Sequence, residues 1–221
     1  MRQLVELLKV IRKFKIIMTD ASKLTLSAEE LQLVANTHWI LTKRVIIDKI
    51  NLLFGNLSNV LRNHVIANEF FLLPAIVQST PKIAKGENYL QLPYVLLDYP
   101  RCFDKENIFT VRTMFWWGNF FSTTLHLSGS YKAIFETAIQ KNIQALQQHD
   151  FYICINEDEW QHHFKVDNYV PLHKLHAGEI AGIIQHQHFI KVAVKFSLQQ
   201  WSEIPELLEK SFLDLLQLIK N

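Results

Sequence analysis

Ten of the 221 residues are histidines, and six of them lie between positions 162 and 188. These six are His162, His163, His173, His176, His186 and His188. Imidazole nitrogens are common ligands of Zn, Fe and Mn. In an extended segment, His186 and His188 would project from the same face of a strand and could bind one metal ion together. We therefore predict these two as metal ligands if the protein holds Zn, Fe or Mn. The leading prediction is a protein without a cofactor, because no His-Glu-x-x-His pattern or cysteine pair accompanies them.

The acidic and histidine-containing segment 157–163 suggests a second kind of chemistry. Glu159 with His162 or His163 would form a general acid–base pair, because imidazole titrates near neutral pH. A metal-dependent or acid–base hydrolase is therefore one functional hypothesis. The alternative for the same residues is a solvated acidic turn with Trp160 in the core.

The most aromatic part of the chain, residues 101–132, indicates a β-hairpin. Trp116 and Trp117 come directly before the dipeptide Gly118-Asn119, which is typical of a tight two-residue turn. A turn of that length places Trp117 opposite Phe120 on the second strand.

This register predicts which side chains share a face of the hairpin. Trp117 would lie on the same face as His126, whereas Arg112 and Trp116 would lie on the other. Neither face is clearly polar, so the sheet is either enclosed between helices or lines a pocket. Tryptophan suits a pocket because it combines a large apolar ring with one hydrogen-bond donor.

The leading functional hypothesis is a binding or interaction protein that uses this aromatic sheet. Its predicted contacts are Arg112, Trp116, Trp117 and His126. The expected partner is a small apolar or aromatic ligand, or another protein. The hairpin lacks the Lys/Arg-Gly-aromatic pattern of common RNA-binding sheets, which disfavours nucleic acid as a partner.

Local signals place the elements of the first half of the chain. A capping box at Ser27-Ala28-Glu29-Glu30 predicts the start of a helix. Apolar residues then cover much of the circumference up to Gly55, which predicts a long central helix ending there. A shorter helix is predicted over 57–66. The stretch 89–99 is strand-like, and Pro93 within it predicts an edge strand because proline donates no backbone hydrogen bond.

The second half alternates between helical and strand patterns. Helices are predicted over 132–148 and from about Ser202, and strands over 151–155 and 188–198. Several strands follow one another in mid-chain, and their connections permit hairpins. We therefore predict an α+β fold. It would consist of a mostly antiparallel sheet packed by helices, with a long central helix near the N-terminus and a C-terminal strand-helix unit.

Composition limits the class of protein. A hydrophobic fraction of 49% with 20% charged residues excludes intrinsic disorder, and a net charge of +2 does not indicate a general polyanion-binding surface. No apolar run reaches the roughly 18 residues of a membrane-spanning helix. Two unpatterned cysteines fit a reducing compartment. The sequence therefore predicts a soluble cytoplasmic protein with no transmembrane segment.

Positive charge is concentrated at the N-terminus. Residues 1–18 hold five lysines and arginines but one glutamate, and their leucines have helical spacing. We predict a basic amphipathic arm or helix over 1–18, followed by a single α+β domain over 24–221. The arm is a candidate for docking on another chain, and the sequence is compatible with a homo-oligomer.

Overall fold

The computed structural model describes residues 24–220, which contain six α-helices and seven strands. The helices are α1 (Ala28–Ala35), α2 (Thr37–Ala67), α3 (Pro74–Val77), α4 (Gly129–Asn142), α5 (Ala177–His186) and α6 (Ile204–Leu218). The strands are β1 (Lys82–Tyr89), β2 (Leu92–Phe103), β3 (Ile108–Trp116), β4 (Phe120–Ser128), β5 (Phe151–Cys154), β6 (Tyr169–Pro171) and β7 (Phe189–Ser197). Short 3-10 helices occupy Glu69–Phe71, Ile143–Gln148, Leu172–Lys174 and Leu198–Gln200.

The seven strands form one sheet in the order β1-β2-β3-β4-β7-β5-β6, and every neighbouring pair is antiparallel. Strand β7 is last in the chain, yet it lies between β4 and β5. The aromatic hairpin β3-β4 is therefore internal to the sheet. Its second strand is bordered by residues that are about 70 positions later in the sequence.

One face of the sheet, which we call the helical face, packs against helices and is mostly apolar. The Phe109 ring of β3 lies 5.6 Å from that of Phe135 in α4. The hydroxyl of Ser211 in α6 donates to that of Thr123 in β4 at 2.8 Å. Because side chains alternate along a strand, the neighbours of these strand residues point to the opposite face.

Helix α2 adds a regular apolar stripe to the core. The stripe consists of Ile50, Phe54, Leu57, Leu61 and Val65, all of which are buried. Steps of three and four residues keep these side chains on one side of the helix. A hydrogen bond of 2.6 Å between His64 and Glu209 joins α2 to α6.

The chain divides into two compact units, Met1–Asp48 and Lys49–Asn221. The prediction from the sequence, an arm over 1–18 and a single domain over 24–221, stays a prediction. The predicted arm at 1–18 lies outside the described residues. Within residues 24–220, no helix is both long and apolar enough to cross a membrane.

The predicted α+β fold is confirmed, including the antiparallel sheet, the long helix near the N-terminus and the strand-helix unit at the C-terminus. The predicted capping box is also present. Ser27 accepts a hydrogen bond from the backbone of Glu30, and the Glu30 carboxylate accepts one from the Ser27 backbone. A local signal was sufficient there because both partners lie within one helical turn.

Two of the predicted features differ from the structure. The long helix does not end at Gly55, because α2 continues to Ala67 with Phe54 and Leu57 buried on either side of the glycine. Burial of that stripe outweighs the roughly 1 kcal/mol that glycine costs a helix. Strand β2 is not an edge strand, since it pairs with both β1 and β3. Pro93 is tolerated because it stands at the start of the strand.

The hairpin turn is one residue longer than predicted. Trp116, not Trp117, lies opposite Phe120, and the connection consists of Trp117, Gly118 and Asn119. Gly118 has a φ of 69°, in the left-handed region that favours glycine. A shift of one residue moves every side chain of the second strand to the other face. Arg112, Trp116 and His126 therefore share one face of the sheet, which corrects the predicted separation.

Gly129, the first residue of α4, is predicted to be intolerant of a side chain. Its φ is 55°, and a Cβ there would lie closer than 3.0 Å to the Glu106 carbonyl and the Asn107 side chain. We expect Gly129→Ala to lower the free energy of unfolding by about 2 kcal/mol or more in urea titration. Gly182→Ala is the matched control. Gly182 lies inside α5, and a Cβ added there would meet no atom within 4 Å apart from its own helix backbone and chain neighbours, so alanine should stabilise by up to about 1 kcal/mol. Equal effects of the two changes would contradict this account.

Candidate functional site

The centre of the face opposite the helices carries ionisable side chains, and we call it the polar face. Asp98 of β2 lies opposite Arg112 of β3, which in turn lies opposite Thr124 of β4. His126, two residues after Thr124, lies opposite Lys191 of β7. All five side chains are buried. The pairing of these four strands thus brings charged side chains together on a buried face of the sheet.

Arg112 is held by a bidentate ion pair. Its Nε and Nη2 atoms donate to the two carboxylate oxygens of Asp98 at 2.7 and 2.9 Å. The remaining nitrogen, Nη1, lies 3.3 Å from Nε2 of His162. A guanidinium can only donate, so Nε2 of His162 must accept and the ring is neutral. In agreement, burial and the nearby cations of Lys191 and Arg112 lower the pKa of His162 well below its ordinary value.

Residues 155–168 cross the polar face between β5 and β6, and we call them the covering loop. The loop is shaped by its own short polar residues. The backbone N–H of Asp158 donates to the Asn156 side chain at 2.8 Å, and that of Trp160 donates to the Asp158 carboxylate at 2.9 Å. Such Asx turns are local and form where asparagine and aspartate precede a reversal of the chain.

Lys191 ties the covering loop to the sheet. Its side chain is almost wholly buried, and its ammonium donates to the backbone carbonyls of Glu159 at 2.9 Å and Gln161 at 2.5 Å. Burial lowers the pKa of Lys191 to about 8. A buried ammonium is costly unless its donors are satisfied, so these two carbonyls set where the loop can lie.

Tyr89 provides a second attachment for the loop. Its hydroxyl oxygen accepts hydrogen bonds from the backbone N–H groups of His162 at 2.6 Å and His163 at 3.0 Å. The Tyr89 ring lies 5.1 Å from that of Trp116. The loop is thereby joined to the aromatic part of the polar face as well as to its charged part.

Glu159 forms the third attachment and is the loop side chain with the clearest potential for ligand binding. Its carboxylate accepts a hydrogen bond from Nε2 of His126 at 2.8 Å. Burial lowers the pKa of His126, so this imidazole is a neutral donor. The same hydrogen bond lowers the pKa of Glu159, which keeps the carboxylate ionised. The His126 side chain is 3% exposed whereas that of Glu159 is 28% exposed, so the pair links the interior to the surface.

A cleft of about 600 Å³ opens beside Glu159, at the end of the polar face where Ser128 and Phe189 lie opposite each other. Its aromatic borders are Phe103, Trp160 and Phe189. Its carboxylates are Asp104, Glu106, Glu157 and Glu159. Lys105 and His188 also line it. Negative side chains therefore outnumber the side chains that can carry positive charge.

The four residues predicted to contact a ligand lie in two different parts of the structure. Arg112, Trp116 and His126 share the polar face but are almost completely covered. Trp117 lies in the hairpin turn, and its ring packs at 5.3 Å against Phe115 of the helical face. Three of the four are thus brought together, although in the interior. Of these, His126 reaches towards the cleft through Glu159.

The residues predicted as an acid–base pair do not pair with one another. Glu159 pairs with His126, not with His162 or His163. The ring of His162 contacts Arg112, as described above. Nδ1 of His163 lies 3.8 Å from the Asp167 carboxylate. Sequence proximity was misleading here because the loop turns the neighbouring side chains in different directions.

The predicted metal ligands do not lie on one strand. His186 is the last residue of α5, and His188 stands just before β7. The predicted extended conformation is therefore wrong at His186, because α5 continues through that residue. Among residues 24–220, no group of three or more His, Cys, Asp or Glu side chains is arranged to hold a metal ion.

Three site residues had not been singled out from the sequence. These are Asp98, Tyr89 and Lys191. Lys191 belongs to the half of the alternating strand 188–198 that also holds Lys195 and Ser197, yet it is almost wholly buried. A lysine in such a strand usually marks the solvated face, so its burial required knowledge of the covering loop.

The buried ammonium predicts how stability depends on pH. The folded pKa of Lys191 is about 8, below the ordinary 10.5, so the unfolded chain binds more protons between these values. Wild-type protein should therefore gain stability relative to Lys191→Met as the pH rises from 8 to 10.5, by about 3 kcal/mol. Urea titrations of both proteins at several pH values measure this difference. The exposed Lys210→Met is the control and should follow wild type. A constant difference between wild type and Lys191→Met would contradict a proton-linked buried amine.

Comparisons with protein-family models, curated proteins and solved structures found no significant match to this chain.

Proposed function

We propose that this protein binds a small molecule in the cleft beside Glu159. The ligand class that fits has an apolar or aromatic body and a positively charged group. The observation that carries the proposal is the Glu159–His126 pair. It fixes an ionised, partly exposed carboxylate at the wall of a cleft that also contains aromatic rings.

The fixed carboxylate is suited to recognition of a cation. A neutral imidazole donor at 2.8 Å orients Glu159 without cancelling its charge. A carboxylate held in this way loses little side-chain entropy when a ligand binds. Charge-assisted hydrogen bonds to an ammonium are also stronger than those between neutral groups.

The rest of the cleft supports the same ligand class. The additional carboxylates give its surface a negative potential, which concentrates cations. Trp160 is 47% exposed, and its ring can contact a cationic or an aromatic group. The volume of about 600 Å³ is in the usual range for sites that take small molecules.

Acid–base catalysis is the second candidate, and it is favoured by the same pair of side chains. Glu159 and His126 lie within hydrogen-bonding distance, as a catalytic base and its orienting partner do. In that case Glu159 would act on the bound ligand with His126 as a positioning residue. The two functions are distinguished by following a bound probe by NMR, because binding alone leaves its spectrum chemically unchanged.

The binding proposal is tested with benzylamine and its neutral analogue benzyl alcohol, using calorimetry. We expect benzylamine to bind at least tenfold more tightly, which corresponds to about 1.4 kcal/mol from its charge. Glu159→Gln should remove that preference, because the amide can still accept the His126 hydrogen bond but carries no charge. Glu206→Gln, at an exposed position in α6, is the control and should bind like wild type.

Two results would contradict different parts of the proposal. Equal binding of benzylamine and benzyl alcohol would remove the selectivity for cations. Absence of saturable binding by a fragment set containing both charged and neutral compounds would remove the binding function itself.

A further inference from the structure

Residues 24–48 of the first compact unit expose an unusual amount of apolar surface. Helix α1 has no buried residue. Nine large apolar side chains in this segment are each at least 43% exposed. They are Leu24, Leu26, Leu31, Leu33, Val34, Trp39, Ile40, Leu41 and Val45, and we call them the apolar patch.

The apolar residues of the patch are not confined to one side of their helices. Trp39, Ile40 and Leu41 are consecutive in α2 and therefore point in directions about 100° apart. Helices that are apolar on several sides are normally buried. The later part of α2 illustrates the contrast, because its apolar stripe from Ile50 onwards is fully covered. Exposed apolar surface of this extent marks an interaction site.

We propose that the apolar patch is the interface of a homodimer, in which the patches of two copies cover each other. The charges around the patch favour a second copy as the partner. Helix α1 carries the exposed Glu29, whereas α2 carries the exposed Arg44. A two-fold axis can place the acidic part of one copy against the basic part of the other, which makes the surface self-complementary.

The charge of residues 24–48 disfavours a membrane surface as the partner, and their exposed area fits a protein partner. The segment has acids and bases in nearly equal number, whereas helices that lie on membranes are rich in Lys and Arg on their polar side. The exposed area of the nine side chains together is on the order of the 800 Å² per partner found in stable complexes, and a partner must contact several sides of the two helices to cover it. The proposal is independent of ligand binding in the cleft.

Light scattering coupled to size exclusion tests the proposal on the full chain over a wide range of concentration. We expect a mass of twice 25.9 kDa at high concentration. Leu41→Glu should reduce it to that of one chain, because it places a charge among the apolar side chains of the patch. Ile66→Glu is the matched control, since Ile66 is 52% exposed on the same helix but lies 21 residues beyond the patch. This variant should remain dimeric.

A charge-exchange experiment tests the orientation and does not depend on an apolar substitution being tolerated. Glu29→Lys and Arg44→Glu should each weaken dimerisation about tenfold, and the double variant should restore it. Dimerisation that withstands both Leu41→Glu and the single charge changes would overturn the proposal.

A full chain that is monomeric at every concentration would also overturn it. Two further measurements would then identify what covers the apolar patch instead of a second copy. Association only after removal of residues 1–23 would indicate that the N-terminal segment of the same chain occupies the patch. Co-sedimentation of the monomer with phosphatidylcholine–phosphatidylserine vesicles would indicate a lipid surface.

Discussion

The structure of the second compact unit depends on satisfying the charges buried on the polar face of its sheet. Arg112 and Lys191 are both removed from water, and each requires acceptors in the interior. Asp98 supplies them for the guanidinium, and two backbone carbonyls of the covering loop supply them for the ammonium. An unpaired charge buried this deeply would cost several kcal/mol of stability. The covering loop must therefore lie where its carbonyls reach Lys191, and its position depends on the sheet that carries Lys191. The position of Glu159 at the cleft follows from that constraint.

The candidate site combines a rigid interior with an accessible edge. The sheet fixes His126, which in turn orients the carboxylate of Glu159 at the border of the cleft. The aromatic rings that dominate the sequence lie mainly behind this border. Trp116 packs with Tyr89, which holds the loop by its hydroxyl oxygen. Most aromatic residues thus contribute to the site by supporting the loop, whereas Phe103, Trp160 and Phe189 border the opening.

Much of the fold could be predicted because its signals are local. The Ser27 capping box and the strand over 188–198 each lie within one element, and both are present. The alternation of the strand did not predict that both of its faces are buried from Phe189 to Val194. The errors arose where packing outweighed a local preference. Gly55 does not end its helix because the apolar stripe around it is buried. The hairpin turn has three residues where Gly118-Asn119 suggested two, and this single difference changed the face assigned to a whole strand.

The sequence by itself determined the class of fold, the strand and helix identities of its most periodic segments and several ionisable residues of the site. It identified Arg112, His126, Glu159 and His162 individually, because their types are suited to binding or catalysis. Only the tertiary structure decided which of them meet. Strand order brings Lys191 beside His126 across 65 positions of sequence, and the covering loop then selects His126 as the partner of Glu159. Such contacts join residues whose separation along the chain carries no periodic signal, so they are set by packing of the whole unit.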